Sequence, residues 1–185
     1  MTESEKNRTS RYLSLILRHK PEAAGIVLDK NGWTDISVLL KALKNVQHQR
    51  YFITREELQD IVDTNDKKRF VISGDGKKIR ASQGHSIDVN LGYIEQEPPE
   101  FLYHGTSYKS VESIYDEGIN KMSRTHVHLS VDMSIAKQVG SRHGDPFIFV
   151  VRALDMHKNC YKFYKSDNGV WLTEDVPVEY LLELS

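Results

Sequence analysis

The chain has 185 residues, 39% of them hydrophobic and 28% charged, with a formal net charge of −1. These values suit one large or two small globular domains, and no apolar run approaches the roughly 20 residues that span a bilayer. Near neutrality excludes a global basic signature for nucleic acid, and a lone cysteine, Cys160, excludes an internal disulfide and cysteine-rich zinc motifs. The opening MTESEKNRTSR is polar, without the apolar core of a signal peptide, so a cytoplasmic protein is expected.

In chain order, Tyr12, Leu13, Ile16 and Leu17 recur at helical spacing and predict a helix over 9–19. It should stop before Pro21, because proline disfavours helical geometry in the preceding residue. Arg18 and His19 then sit side by side in its last turn. They either complement the helix dipole or aim positive charge at an anion. The turn DKNGW follows. A second helix is predicted over 36–44, with Leu39, Leu40 and Leu43 on one face. A third begins at the capping box TREE, with Thr54 as the cap and Glu57 three residues on, ahead of Leu58, Ile61 and Val62.

RFVIS and KKIRAS then read as two strands joined at GDG. Alternation puts Arg69, Val71 and Ser73 on one face and Phe70 and Ile72 on the other. From Lys67 to Arg80 there are six basic residues and one acid, Asp75. Such a stripe is either a solvated hairpin or a grip on an anionic partner. Three helices plus a hairpin is the layout of a winged helix-turn-helix. The hairpin's exit, IRASQGHS, offers Arg80, Gln83, His85 and Ser86 as hydrogen-bonding groups for phosphate or sugar hydroxyls, or forms an ordinary polar loop.

The acidic, proline-containing IEQEPPE reads as a linker, which divides the chain into 1–95 and 96–185. Beyond it, short strands alternate with short helices: FLYHG, a helix over 108–117, THVHLS, a helix over 133–139, PFIFVVRA, GVWLT and EYLLEL. This is a mixed α+β pattern. No dinucleotide or phosphate-loop glycine motif follows any strand. His104, Gly105 and Thr106 form a strand-to-turn element where the glycine admits a close ligand, or where a helix simply starts. In RTHVHLS, Arg124, His126, His128 and Ser130 share one face, opposite Val127 and Leu129. That face meets a ligand or forms an exposed edge. A zinc site there lacks a third ligand at metal-type spacing, and the arginine would repel the ion. No metal is expected.

The ordered combination of LRH, KKRF, IRASQGHS, LYHGT and RTHVHLS, with the GIVLDKNGW turn and the NGVWLT strand, closely resembles the RNA 2′-phosphotransferase family, the KptA type. The resemblance implies a winged-helix lobe for RNA and phosphate facing an ADP-ribosyltransferase-like α+β lobe, with NAD between them. It implies a catalytic set of Arg18, His19, Arg69 and Arg124, and NAD contacts from His104, Gly105, Thr106, His128 and Ser130. The late glutamate of many ADP-ribosyltransferases is not clearly present: Glu174 and Glu179 are nearby, and Val176 falls at the apolar position. The substrates implied are NAD and an RNA with an internal 2′-phosphate, as at a tRNA-like splice junction, and a monomer is expected. The reaction implied has two steps. The 2′-phosphate displaces nicotinamide, giving ADP-ribosylated RNA; the ribose 2″-hydroxyl then attacks phosphorus, releasing 2′-hydroxyl RNA and ADP-ribose 1″,2″-cyclic phosphate. Two other readings stay open: a transferase that leaves ADP-ribose on a nucleic-acid phosphate, and a winged-helix binding protein without catalysis.

Overall fold

A computed structural model describes residues 1–45, 51–142 and 144–183. The chain forms two compact units, Met1–Gly92 and Tyr93–Ser185. Among the described residues there are six α-helices and three small antiparallel sheets, an α+β protein. No described helix is long and apolar enough to cross a membrane.

In the first unit, α1 (Glu3–Arg18) starts six residues earlier than the apolar spacing alone predicts. The reason is local. The Thr2 side chain accepts from the Glu5 N–H, and the Glu5 carboxylate accepts from the Thr2 N–H at 2.8 Å, which satisfies donors that the first helical turn leaves open. Thr9, Ser10, Leu13, Ile16 and Leu17 form its buried stripe. His19 caps the far end, and Pro21 opens a single 3₁₀ turn, Pro21–Ala24. Next come β1 (Thr34–Asp35), α2 (Ile36–Asn45), α3 (Arg55–Asp63), β2 (Phe70–Ile72) and β3 (Lys78–Ala81). The capping box predicted at Thr54 and Glu57 is present.

The predicted hairpin is antiparallel, Phe70 opposite Ala81 and Ile72 opposite Ile79. The two-residue β1, too short for any periodic signal, adds a third strand by pairing Thr34 with Ile79. Leu13, Leu17, Leu39, Leu43, Leu58, Phe70 and Ile79 meet in one core.

The second unit contains β4 (Leu102–Ser107), α4 (Val111–Glu117), β5 (Val127–Leu129), α5 (Met133–Gly140), β6 (Pro146–Val151), α6 (Ala153–Lys158), β7 (Tyr164–Lys165), β8 (Trp171–Thr173) and β9 (Leu181–Glu183). One sheet has the order β4-β6-β9 and the other β5-β8-β7. The stretch read as a linker is tied to this unit: Glu95 bridges to Tyr164, and the Gln96 N–H donates to the Phe163 carbonyl at 2.9 Å. Helix α6 begins directly after β6, so the run PFIFVVRA is strand only to Val151. The second core gathers Leu102, Leu129, Phe149, Met156 and Phe163.

Two backbone approaches fix where α5 lies. A Cβ on Gly105 would stand 1.7 Å from the Ala136 carbonyl oxygen, and one on Gly140 would stand 2.5 Å from that of Thr106. The bare α-carbon of Gly105 therefore seats helix on strand. Gly105→Ala should force these elements apart and cost about 1–3 kcal/mol or more. Urea unfolding checks this; an unchanged midpoint would show that the two backbones separate freely.

Candidate functional site

The first unit gathers its predicted residues at the C-terminal end of α1. A helix end leaves backbone carbonyls without intrahelical donors. Here the Ser86 N–H donates to the Arg18 carbonyl at 3.0 Å, and the Ser86 hydroxyl lies 2.9 Å from His19 Nδ1. The loop leaving the hairpin thus caps the helix that carries Arg18 and His19. Arg18 Nη2 reaches the Arg69 carbonyl at 3.5 Å, and the Ser82 N–H donates to that same oxygen at 2.9 Å. Arg69 itself is held by Asn65, whose Oδ1 accepts from the Arg69 N–H at 3.2 Å and from Nη1 at 3.4 Å. The Ser82 hydroxyl donates to the Lys68 carbonyl at 2.7 Å, in a segment where Lys68 adopts φ +40°.

His85 lies in the middle of this group and is fully buried. Neither ring nitrogen reaches hydrogen-bond geometry with a described protein atom, and Gln83 Oε1 is likewise buried without such a partner. Burial, with the positive charges of Arg18, His19 and Arg80 around it, pushes the His85 pKa down to about 4. The ring is therefore neutral at physiological pH. Arg80 packs its guanidinium over the Trp33 ring, 4.6 Å from the centroid, and donates to the Leu91 carbonyl at 3.2 Å.

In the second unit the two sheets are bridged where Tyr103 and Ser130 exchange N–H···O bonds of 2.8 and 2.9 Å. That pairing brings the strand of His104 beside the strand of His128. His104 Nδ1 lies 3.2 Å from the His128 carbonyl. A carbonyl only accepts, so Nδ1 carries the proton and Nε2 is left as an acceptor. Burial holds the His104 pKa below its usual value, which keeps the ring neutral. Arg124 Nη1 lies 3.1 Å from His128 Nδ1. A guanidinium only donates, so His128 accepts at Nδ1 and carries its proton on Nε2.

Arg124 sits in the bend before β5, since the strand begins only at Val127. Burial, with Arg142 nearby, lowers its pKa. Ser130 Oγ accepts from the Asp132 N–H at 3.0 Å, while the Asp132 carboxylate caps α5 by accepting from the Ser134 N–H at 2.7 Å. His126, on the same predicted face, packs edge-on against Tyr93 and Tyr164. Val176 is buried and bridged to Ile119, and Glu174 pairs with Lys121 at 3.5 Å. No group of three possible metal ligands occurs among the described residues.

Arg18, His19, Arg80, His85 and Ser86 are thus brought together in the first unit, with Arg69 joined through its backbone; His104, His128, Ser130 and Arg124 are brought together in the second. Sequence reasoning passed over Asn65 and Arg142, and quoted Trp33 and Ser82 in their motifs without a role of their own; all four hold or adjoin those side chains. Trp33 ends the quoted NGW turn, where an aromatic beside a basic hairpin was the available signal. Asn65 precedes the hairpin with no pattern of its own, and Ser82 is one of several small polar residues in IRASQGHS.

The neutral state of His85 has a pH signature. The unfolded chain titrates this ring near 6.5 and the folded one near 4, so stability is complete above 6.5 and falls as acid protonates the unfolded state. Between pH 7 and 5 the loss from this group should be about 2 kcal/mol. Urea midpoints of wild type and His85→Phe at both pH values check this; equal pH slopes for the two proteins would refute it.

A profile of the RNA 2′-phosphotransferase, Tpt1/KptA family matches residues 4–175. A probable RNA 2′-phosphotransferase of Flavobacterium johnsoniae is 49% identical over 181 residues, covering 98% of each chain. One of Nostoc punctiforme is 47% identical over 184 residues, covering 100% of both. One of Pectobacterium carotovorum is 46% identical over 183 residues, covering 98% of this chain and 96% of the relative.

Proposed function

This chain belongs to the RNA 2′-phosphotransferase, Tpt1/KptA family, an NAD-dependent activity, and from that premise we propose how its residues divide the work. The first unit is the RNA- and phosphate-binding lobe, of winged-helix type, given its order α1-β1-α2-α3-β2-β3. The second is the NAD-binding lobe, of ADP-ribosyltransferase type. The substrate is RNA with an internal 2′-phosphate. That phosphate displaces nicotinamide from NAD, and the neighbouring 2″-hydroxyl then attacks phosphorus to release 2′-hydroxyl RNA and ADP-ribose 1″,2″-cyclic phosphate.

A phosphate oxygen is already anionic, so the first step needs positioning and charge neutralisation and no strong base. Arg18 and Arg69 supply these through bidentate contacts, with Arg124 as the third guanidinium of the set. His19 holds the phosphate or moves a proton, an imidazole at the helix end fixed by the Ser86 hydroxyl. Arg80, Gln83 and Ser86 contact phosphate or sugar hydroxyls of the RNA. His85, being buried, serves the site by keeping an uncharged ring among the cations.

The residues of the second unit fit NAD. His104 Nε2 is an acceptor for a ribose hydroxyl, because Nδ1 is tied to the His128 carbonyl. The Ser130 hydroxyl proton is available to a ligand oxygen, since its oxygen accepts from Asp132. Arg124, close to Arg142, is a cation pair whose repulsion an anionic ligand relieves. Gly105 and Thr106 form the wall beside them. No residue in this scheme requires a metal. A monomer in the cytoplasm fits: each unit has its own buried core, and the exposed Cys160 thiol suits a reducing compartment.

The observation that carries this reading is the gathering of Arg18, His19 and Ser86 at the end of α1, with Arg69 tied to Arg18 through its carbonyl, beside the buried His85. Incubating the protein with a 2′-phosphorylated oligonucleotide, with and without NAD, and weighing both products tests it. NAD-dependent loss of the phosphate with cyclic ADP-ribose phosphate is expected. A stable ADP-ribosylated RNA as the end product would instead make it a transferase onto nucleic-acid phosphates.

The second transition state gathers more charge on the phosphoryl oxygens than the first. Removing one charge-assisted contact costs ~2–4 kcal/mol, or roughly a hundred- to thousand-fold in rate. Arg69→Ala and Arg124→Ala should therefore slow the second step more, and ADP-ribosylated RNA should accumulate in a labelled time course. Lysine at either position should rescue only in part, keeping charge and losing the fork. Slower substrate loss with no adduct would place both arginines in binding or the first step. Separately, His104→Ala should raise the apparent KM for NAD more than that for RNA; the reverse order would overturn the assignment of the second unit.

A further inference from the structure

The outer face of α1 carries a feature that the phosphotransfer chemistry leaves unused. Arg8, Arg11, Tyr12 and Leu15 of this helix, with Tyr51, line a groove of about 610 Å³. Arg8, Arg11 and Leu15 are exposed and the two tyrosines half-buried. The tyrosines lie face to face, ring centroids 4.0 Å apart and planes within 9°. The Tyr12 hydroxyl donates to the Ala23 carbonyl at 3.3 Å, which pins the stack against the turn after the helix.

Helical geometry sets the direction of this groove. Arg11 and Arg18 are seven residues apart, which is about 10 Å along the axis and only about 20° around it. The lining stripe therefore runs in line with the helix end that carries Arg18 and His19. Guanidinium groups beside a fixed aromatic stack form the pairing that holds single-stranded nucleic acid: cations track the phosphates and a ring face takes a base, without regard to sequence.

We propose that this groove binds single-stranded RNA flanking the 2′-phosphate, so that the enzyme takes an extended strand rather than the junction nucleotides alone. The inference rests on the phosphotransferase reading for its substrate. Arg8 and Arg11 contact backbone phosphates, and the stacked tyrosines offer a platform to a flanking base. Discrimination among sequences is not expected, because every base has a stacking face.

The test compares two 2′-phosphorylated substrates, one of dinucleotide length and one extended on both sides, with wild type, Arg8→Glu/Arg11→Glu, and Tyr51→Ala. Binding of the extended RNA without NAD is followed by fluorescence anisotropy. The double variant should raise KM and Kd for the extended RNA on the order of ten-fold, leave kcat for it unchanged, and leave the dinucleotide's kinetics unchanged. Its log-log salt slope for binding should fall by about 1.4, at roughly 0.7 per lost phosphate contact. Tyr51→Ala should weaken the extended RNA alone, without altering the salt slope. Equal losses on both substrates, or no loss on the extended one, would overturn the groove. Failure of wild type to turn over either substrate would overturn the phosphotransferase reading, and the anisotropy and salt data would then decide the groove by themselves.

Discussion

Like charges crowded at one place are the constraint from which the first unit is best understood. Arg18, His19 and Arg80 surround one buried imidazole. Bringing the half-buried Arg18 and Arg80 guanidinium groups together costs free energy that an anion returns, and a dianionic phosphate returns more than a carboxylate. The protein limits the cost by keeping the central ring neutral and by tying the surrounding chain with neutral hydrogen bonds. Ser86 closes the helix end, Asn65 steadies Arg69, and Ser82 holds the carbonyls of Lys68 and Arg69. The arginines are thereby positioned by groups that leave their charge intact.

The second unit solves a different problem, that of placing acceptors and donors of fixed tautomer. His104 and His128 are adjacent because two small sheets join at Tyr103 and Ser130. One histidine gives its Nδ1 proton to a carbonyl; the other receives a bond at Nδ1 from an arginine. The two rings are therefore held in opposite tautomers, protonated at Nδ1 in His104 and at Nε2 in His128. The approach of α5 to β4 at Gly105 and Gly140 sets the wall beside them, which explains a glycine in the HGT element as a packing requirement as well as an opening for a ligand.

Much of this was legible in the residues. Apolar spacing located α2 and α3, the TREE box marked the start of α3, and GDG marked the hairpin. Periodicity missed the first turns of α1, because residues 3–8 carry no apolar stripe and are held by a capping box at Thr2 and Glu5 instead. It missed β1 and β7, two residues each and made strands only by their partners, and α6, which is too short to show a period. The site divided along the same line. Arginines and histidines in ordered motifs stood out and led to a family. The roles of the residues that aim them did not, because Asn65, Ser82 and Arg142 acquire those roles only when distant segments are brought together. Burial was equally hidden: nothing in QGHS distinguishes a fully buried His85 from an exposed Ser86.

A cationic cluster that holds the 2′-phosphate should distinguish RNA that carries this group from RNA that lacks it. Calorimetric titration of the NAD-free protein with two oligonucleotides that differ only in a 2′-phosphate or a 2′-hydroxyl tests it most directly. The phosphorylated strand should bind clearly more tightly, an advantage that shrinks in Arg18→Ala and Arg69→Ala and weakens with added salt. Equal affinity for the two strands, or an advantage that survives the loss of both arginines, would contradict it.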